Sequence, residues 1–181
     1  MKRFSSLLSV LIIIGVIYWS FSDAIPTYQK EKPSWKIDFS INHALHHLKN
    51  ISKKAHYVGT EEHKNVQNYI VDELEKLGLK PEIQIQTAIN KKWFAATTAE
   101  NILARIKGSE NGKALLLLTH YDSNPHSSLG ASDAGSGVVT ILEGIRAFLA
   151  TNKTPKNDII ILISDAEELG LLGAEAFVNN H

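Results

Sequence analysis

Residues 115–168, LLLLTHYDSNPHSSLGASDAGSGVVTILEGIRAFLATNKTPKNDIIILISDAEE, hold nearly every side chain in this sequence that is able to do chemistry. Residues 114–119 form a continuous apolar run that stops at a turn, the pattern of a strand buried on both faces. Val138, Val139, Ile141, Leu142, Ile145 and Leu149 recur at helical spacing after Gly135-Ser136-Gly137, and residues 159–163 form a second buried strand. Strand, helix, strand is a βαβ unit. Its crossover is expected to be right-handed and its strands parallel, so that their carboxyl ends point the same way.

That arrangement gathers polar residues. His120 and Asp122 leave the end of the first strand, while Asp165, Glu167 and Glu168 leave the end of the second; in open α/β sheets ligands bind outside those ends. Asp133 lies in the loop before the helix and can fold back over the same edge. One imidazole among several carboxylates resists desolvation unless a cation holds the group together. Histidine and carboxylate without cysteine is the donor set of catalytic zinc, and one carboxylate can bridge two ions. Asp122, two residues past His120, is badly placed to share its metal but well placed to accept the other ring N–H. Glu167 and Glu168 are adjacent and their side chains diverge, so one can bind metal while the other acts as general base.

His120-Tyr121-Asp122, Gly130-Ala131-Ser132-Asp133 and Asp165-Ala166-Glu167-Glu168 followed by Leu169-Gly170-Leu171-Leu172-Gly173 together resemble zinc peptidase family M28. The wording is most like its membrane-anchored branch, the endoplasmic-reticulum and vacuolar membrane metallopeptidases and their bacterial relatives. The combined motif is specific, whereas any one piece is weak. The resemblance covers roughly residues 40–181. It implies that His120 binds one zinc, Asp133 bridges two, Glu168 binds a zinc, Glu167 is the base and Asp122 orients His120. It also implies a peptide substrate, an aminopeptidase-type exopeptidase and two zinc ions in the full-length protein. Family members supply a further acidic ligand and a second histidine downstream of the paired glutamates, and this sequence stops at His181. The expectation is therefore an amino-terminal part of a longer protein, with each zinc lacking a protein ligand.

Around this centre the sequence is less informative. Lys plus Arg and Asp plus Glu are 19 each, so no global field favours nucleic acid or an anionic substrate, and the lack of cysteine excludes disulfides, thiolate zinc sites and a cysteine nucleophile. Residues 4–21 are uncharged, follow Lys2 and Arg3, and rise about 27 Å as a helix, close to the hydrocarbon thickness of a bilayer. A signal anchor is favoured over a cleaved signal, with the following domain on the extracytoplasmic or lumenal side. The expected division is a membrane anchor or signal over 1–22, a linker over 23–39 and the amino-terminal part of a peptidase domain over 40–181.

Ser40 caps a helix with Ile41, Leu45, Leu48 and Ile51 on one face; its His43 and His47 have metal-compatible spacing but read as a solvated face. Thr60 starts a second helix with Val66, Tyr69, Ile70, Leu74 and Leu77 inward and Gly78 as its stop. The turn His56-Tyr57-Val58-Gly59-Thr60 between them resembles the segment that the family carries before its second helix, and otherwise reads as a connector. Ile83 and Ile85, then Ile102, Ala104 and Ile106, mark two half-buried strands. Trp93 and Phe94 join these strands and read as anchors of their own loop, while His126 and Ser127 read as exposed loop residues. A final helix over about 171–179 should cover the second strand of the βαβ unit.

The fold expected is α/β: a mixed, mainly parallel sheet with helices on both faces, a three-layer sandwich of the aminopeptidase type, incomplete at its C-terminus and preceded by one transmembrane helix. Two other readings stand beside the peptidase. One is a single-zinc acyltransferase like glutaminyl cyclase; the other is a non-catalytic binding module of the same fold, against which the intact clustered carboxylates argue.

Overall fold

A computed structural model describes residues 2–25, 30–92, 94–126 and 128–180 of the chain. The chain forms two compact units, Met1–Lys30 and Glu31–His181. The first is one helix, α1 (Lys2–Ala24), in which Ser6–Ala24 is long and apolar enough to cross a membrane and has none of its surface buried. The second carries α2 (Ile41–Ile51), α3 (Glu61–Lys76), β1 (Glu82–Asn90), β2 (Ala95–Ile106), β3 (Leu115–His120), α4 (Ser136–Ala150), β4 (Ile159–Ser164) and α5 (Leu172–Asn180). Trp93 and Ser127 lie outside the described residues.

The strands form one sheet in the order β1-β2-β4-β3. β3 and β4 are parallel with Leu117 opposite Ile161 and His120 opposite Ser164, which is the expected pairing of the βαβ unit. β1 pairs with β2, and β2 with β4, in antiparallel fashion. The sheet is mixed, as expected, but among the described residues a hairpin extends the parallel pair, so it is not mainly parallel.

Helices lie on both faces. Ile51 of α2, Ile70 and Leu74 of α3 and Leu142 of α4 pack on Ile102, Ile161 and Ile163, and all of these are essentially inaccessible to solvent. Each such side chain contributes about 1.5–3 kcal/mol on burial. On the other face Leu172 and Ala176 of α5 meet Ala88 and Ala99 of the hairpin. Thus α5 packs against β1 and β2 and not, as expected, over β4.

Caps fix the helix starts. Ser40 and Thr60 each accept from the backbone N–H three residues on, at 3.1 and 3.2 Å, and Gly78 closes α3 with φ +80°. On α2 the inward residues are Ala44, Leu48 and Ile51, whereas Leu45 is exposed. His47 is bonded to the Tyr69 hydroxyl at 2.7 Å and His43 stands 3.7 Å from buried Glu143, so the α2 imidazoles are not simply solvated. Glu143 also pairs with Arg146 at 2.7 Å. That guanidinium donates to the backbone carbonyls of Trp35, Lys36 and Asp38, which fastens part of the expected linker to α4.

Two strands differ from expectation for one reason: among the described residues no layer covers them. Among the described residues β3 is an edge strand, and Leu115, Leu116 and Leu118 are exposed rather than buried on both faces. The β1–β2 hairpin runs on beyond the five β2 residues that pair with β4. Past Ile83 its isoleucine face therefore has little above it, and Ile85 and Ile89 are exposed while Ala88, on the α5 side, is buried.

Candidate metal centre

His120 ends β3 and is nearly buried. Its Nδ1 lies 3.1 Å from the Asp122 backbone carbonyl and 3.3 Å from the Asp122 carboxylate. Its Nε2 faces Asp133 Oδ1 at 3.0 Å and Glu167 Oε2 at 3.8 Å. One ring nitrogen is therefore held from behind while the other points at two carboxylates. Asp122 is fully buried, and its two oxygens accept the backbone N–H groups of Glu167 at 3.0 Å and Glu168 at 3.1 Å. The same carboxylate thus orients the imidazole and ties the loop after β4 to the end of β3.

Asp133 sits in the turn Ala131–Gly135 before α4, with extended backbone angles (φ −121°, ψ 100°) and a side chain 74% exposed. Gly135 N donates to Gly130 O at 2.8 Å and closes the turn. Gly130 has φ +66°, and a Cβ there would come within 2.6 Å of the His56 ring, so only glycine fits. His56 is buried; its backbone N–H donates to Ser123 Oγ at 2.8 Å, and burial lowers its imidazole pKa. The segment read as a connector is a buttress for the loop that carries Asp133.

The chain reverses sharply after β4, with positive φ at Ala166, Gly170 and Leu171. Glu167 reaches toward His120, while Glu168 accepts from Asn124 Nδ2 at 3.2 Å. Asp165 does not join the crevice. It turns the other way, is fully buried, bonds His63 Nε2 at 2.7 Å and accepts the Glu100 N–H at 2.9 Å. Behind this turn α5 comes so close that a Cβ at Gly173 would strike the Asp165 carbonyl oxygen.

The electrostatics follow from the crowding. Burial opposes charge on His120, but Asp122, Asp133 and Glu167 outweigh it and raise the imidazole to about 9. Glu167 is pushed up by burial and by the neighbouring carboxylates of Asp122, Glu168 and Asp133, with His120 acting in the opposite sense.

Among the described residues no group of three or more His, Cys, Asp or Glu is arranged to hold a metal ion. The pair His120 and Asp133 does fit one. Two donors that share an ion at about 2.0–2.2 Å each lie roughly 3–3.5 Å apart, and Nε2 to Oδ1 is 3.0 Å. The nitrogen facing Asp133 is the one turned to the crevice, because Asp122 engages the other.

Residues 101–181, which include all five candidate residues, match the model of peptidase family M28. In this segment the chain belongs to peptidase family M28. The vacuolar membrane protease of Candida tropicalis is 34% identical over 142 residues, which is 74% of this chain and 15% of that protein. Among solved structures, glutaminyl cyclase of Bacteroides thetaiotaomicron bound to N-acetylhistamine aligns with TM-score 0.68 and 28% identity over 79% of this chain and 57% of its own. A Zn-dependent exopeptidase of Parabacteroides distasonis aligns with TM-score 0.61 and 29% identity over 72% of this chain and 48% of its own. The chain thus spans a minor part of the curated relative it matches.

In this M28 segment and its surroundings, sequence reasoning missed the layer behind the centre. His63 stacks on Tyr121 with ring centroids 4.8 Å apart, and the Tyr121 hydroxyl accepts from Gln67 Nε2 at 2.9 Å and donates to the Glu100 carbonyl at 3.1 Å. A signal was available: His63 and Gln67 fall on the stripe of α3 that continues through Ile70 and Leu74.

Proposed function

We propose that this chain carries the general base and part of the metal-binding set of a membrane-attached metallopeptidase of the aminopeptidase type. The observation that supports it most is the disposition of His120, with Asp122 behind Nδ1 and both Asp133 and Glu167 before Nε2. His120 and Asp133 would hold one zinc, and Glu168, with Asp133 shared, a second. The ions supply Lewis-acid polarisation of the scissile carbonyl when bound. Asp122 keeps the His120 ring in one orientation and one tautomer and fixes Glu167 relative to it. Glu167, with a carboxyl raised above its ordinary value, takes a proton from the attacking water and returns it to the departing amine nitrogen.

The likeness to a glutaminyl cyclase favours a second reading, acyl transfer with loss of ammonia, in which Glu167 again moves the proton. One assay separates the two and tests both. Intact protein given peptides with a free amino terminus, one series beginning with leucine and one with glutamine, is expected to release amino acids. It should stop when a chelator strips the metal and resume on zinc addition. Ammonia release from the glutaminyl series alone would support the cyclase, and hydrolysis that survives complete metal removal would refute the metallopeptidase.

The membrane attachment rests on α1. A 23-residue helix measures about 34 Å, and the basic residues Lys2 and Arg3 precede its apolar stretch. Residues 31–181 are therefore expected on the side away from Lys2 and Arg3. Protease added to sealed vesicles whose cytoplasmic face is inside should digest that unit; digestion only after permeabilisation would contradict the orientation.

A further inference from the structure

The turn over residues 33–38 precedes α2, and two charged side chains of α4 hold it. Arg146 donates to the backbone carbonyls of Lys36 at 2.7 Å, Trp35 at 3.0 Å and Asp38. Glu143, fully buried and paired with Arg146, accepts the Ser40 N–H at 2.6 Å. These bonds draw the backbone inward and leave the apolar side chains outside: Trp35 is 38% exposed, Ile37 56% and Phe39 42%. Ordering such side chains in water costs conformational entropy and returns no burial, so the turn gains from a cover. Lys32 and Lys36 are exposed in the same stretch, with the Lys36 ammonium 5.8 Å from the centre of the Trp35 ring and Lys32 3.9 Å from Asp38. The two acidic residues there have partners within the unit, since Glu31 accepts the Asn42 N–H at 3.2 Å and Asp38 accepts the Ser34 hydroxyl.

We infer that this turn docks on a phospholipid surface, with Trp35, Ile37 and Phe39 in the headgroup layer and Lys32 and Lys36 on lipid phosphates. The inference rests on α1 being a membrane anchor. Residues 25–34 join the end of α1 to Trp35 and reach at most about 36 Å when fully extended. Tyr18, Trp19 and Phe21, near that end of α1, are of the kind that collects at a membrane–water boundary. The tether thus keeps the turn near the bilayer, and a contact weak in itself is strengthened because it is intramolecular. Composition selects lipid over a protein partner. Aromatic and aliphatic side chains interleaved with lysine suit the level where hydrocarbon gives way to phosphate, with the lysine stems reaching up to the charge, whereas lysine is depleted at protein–protein interfaces.

Photo-crosslinking in the intact protein tests this. The protein is reconstituted in vesicles of phosphatidylcholine and phosphatidylglycerol that include a phospholipid with a diazirine near its glycerol, and adducts are mapped by mass spectrometry. Adducts are expected on α1 and on residues 35–39. The triple variant Trp35→Ser, Ile37→Ser, Phe39→Ser should lose those on the turn and keep those on α1. The double variant Lys32→Glu, Lys36→Glu leaves the apolar side chains in place and should lower adducts on the turn by about 5-fold or more, the factor that attraction of even one lysine to an anionic surface supplies. Adducts on α1 with none on residues 35–39, as when a second copy or another part of the protein covers the turn, overturn the docking and leave the anchor standing. Adducts on the turn that survive both variants also overturn it, and adducts on neither segment remove the anchor and the docking together.

Discussion

Replacing Glu167 by glutamine is expected to lower turnover of an aminoacyl substrate by about 10²–10⁴-fold while bound zinc stays nearly unchanged. Glutamine preserves the shape of the side chain and can hydrogen-bond the attacking water, but it cannot accept a proton. The backbone N–H of residue 167 still donates to Asp122, so the loop keeps its anchor. Glu168→Gln should differ, because loss of an anionic donor weakens the metal itself and zinc is lost together with activity. Measuring zinc and turnover in both variants separates base from ligand. A fully active Glu167→Gln protein, or one that sheds zinc as Glu168→Gln does, contradicts the assignment.

His120→Ala is expected to abolish both zinc binding at this centre and hydrolysis. Removing a residue that only supports a ligand already costs roughly 10–100-fold in affinity, and the loss of the ligand itself should exceed that. The substitution also leaves Asp122 buried without its imidazole, although two backbone N–H groups continue to satisfy its oxygens. Retention of the fold by circular dichroism together with loss of zinc by atomic absorption is the expected pair of results. Zinc binding unchanged in His120→Ala would place the metal elsewhere.

The βαβ unit was legible because its signals are local. Apolar runs of strand length flank a helical repeat, and the strands obey the parallel pairing that a helical crossover imposes. The direction of the strand ends then brought His120, Asp122, Asp133 and Glu167 to one place. What the sequence did not reveal depends on partners distant in the chain. The exposure of Leu116 and Leu118 reflects the edge position of β3 among the described residues, which is a property of strand order and not of the strand. The outward turn of Ile85 reflects that no described residue covers that part of the hairpin. Asp165 was expected in the crevice because it follows β4 as Glu167 does. Its direction is set by His63, 102 residues earlier, and by the Glu100 backbone. The second duty of Asp122, holding the Glu167 and Glu168 backbone, likewise needs the two strand ends side by side.

Anomalous diffraction at the zinc edge from crystals of the intact protein tests the central claim most directly. The account predicts zinc bonded to His120 Nε2 and to a carboxylate oxygen of Asp133 at about 2.0–2.2 Å each, with the Glu167 carboxylate adjacent but unbound. Zinc bonded through His120 Nδ1, or held instead by His43 and His47 on α2 with none at the ends of β3 and β4, would contradict it.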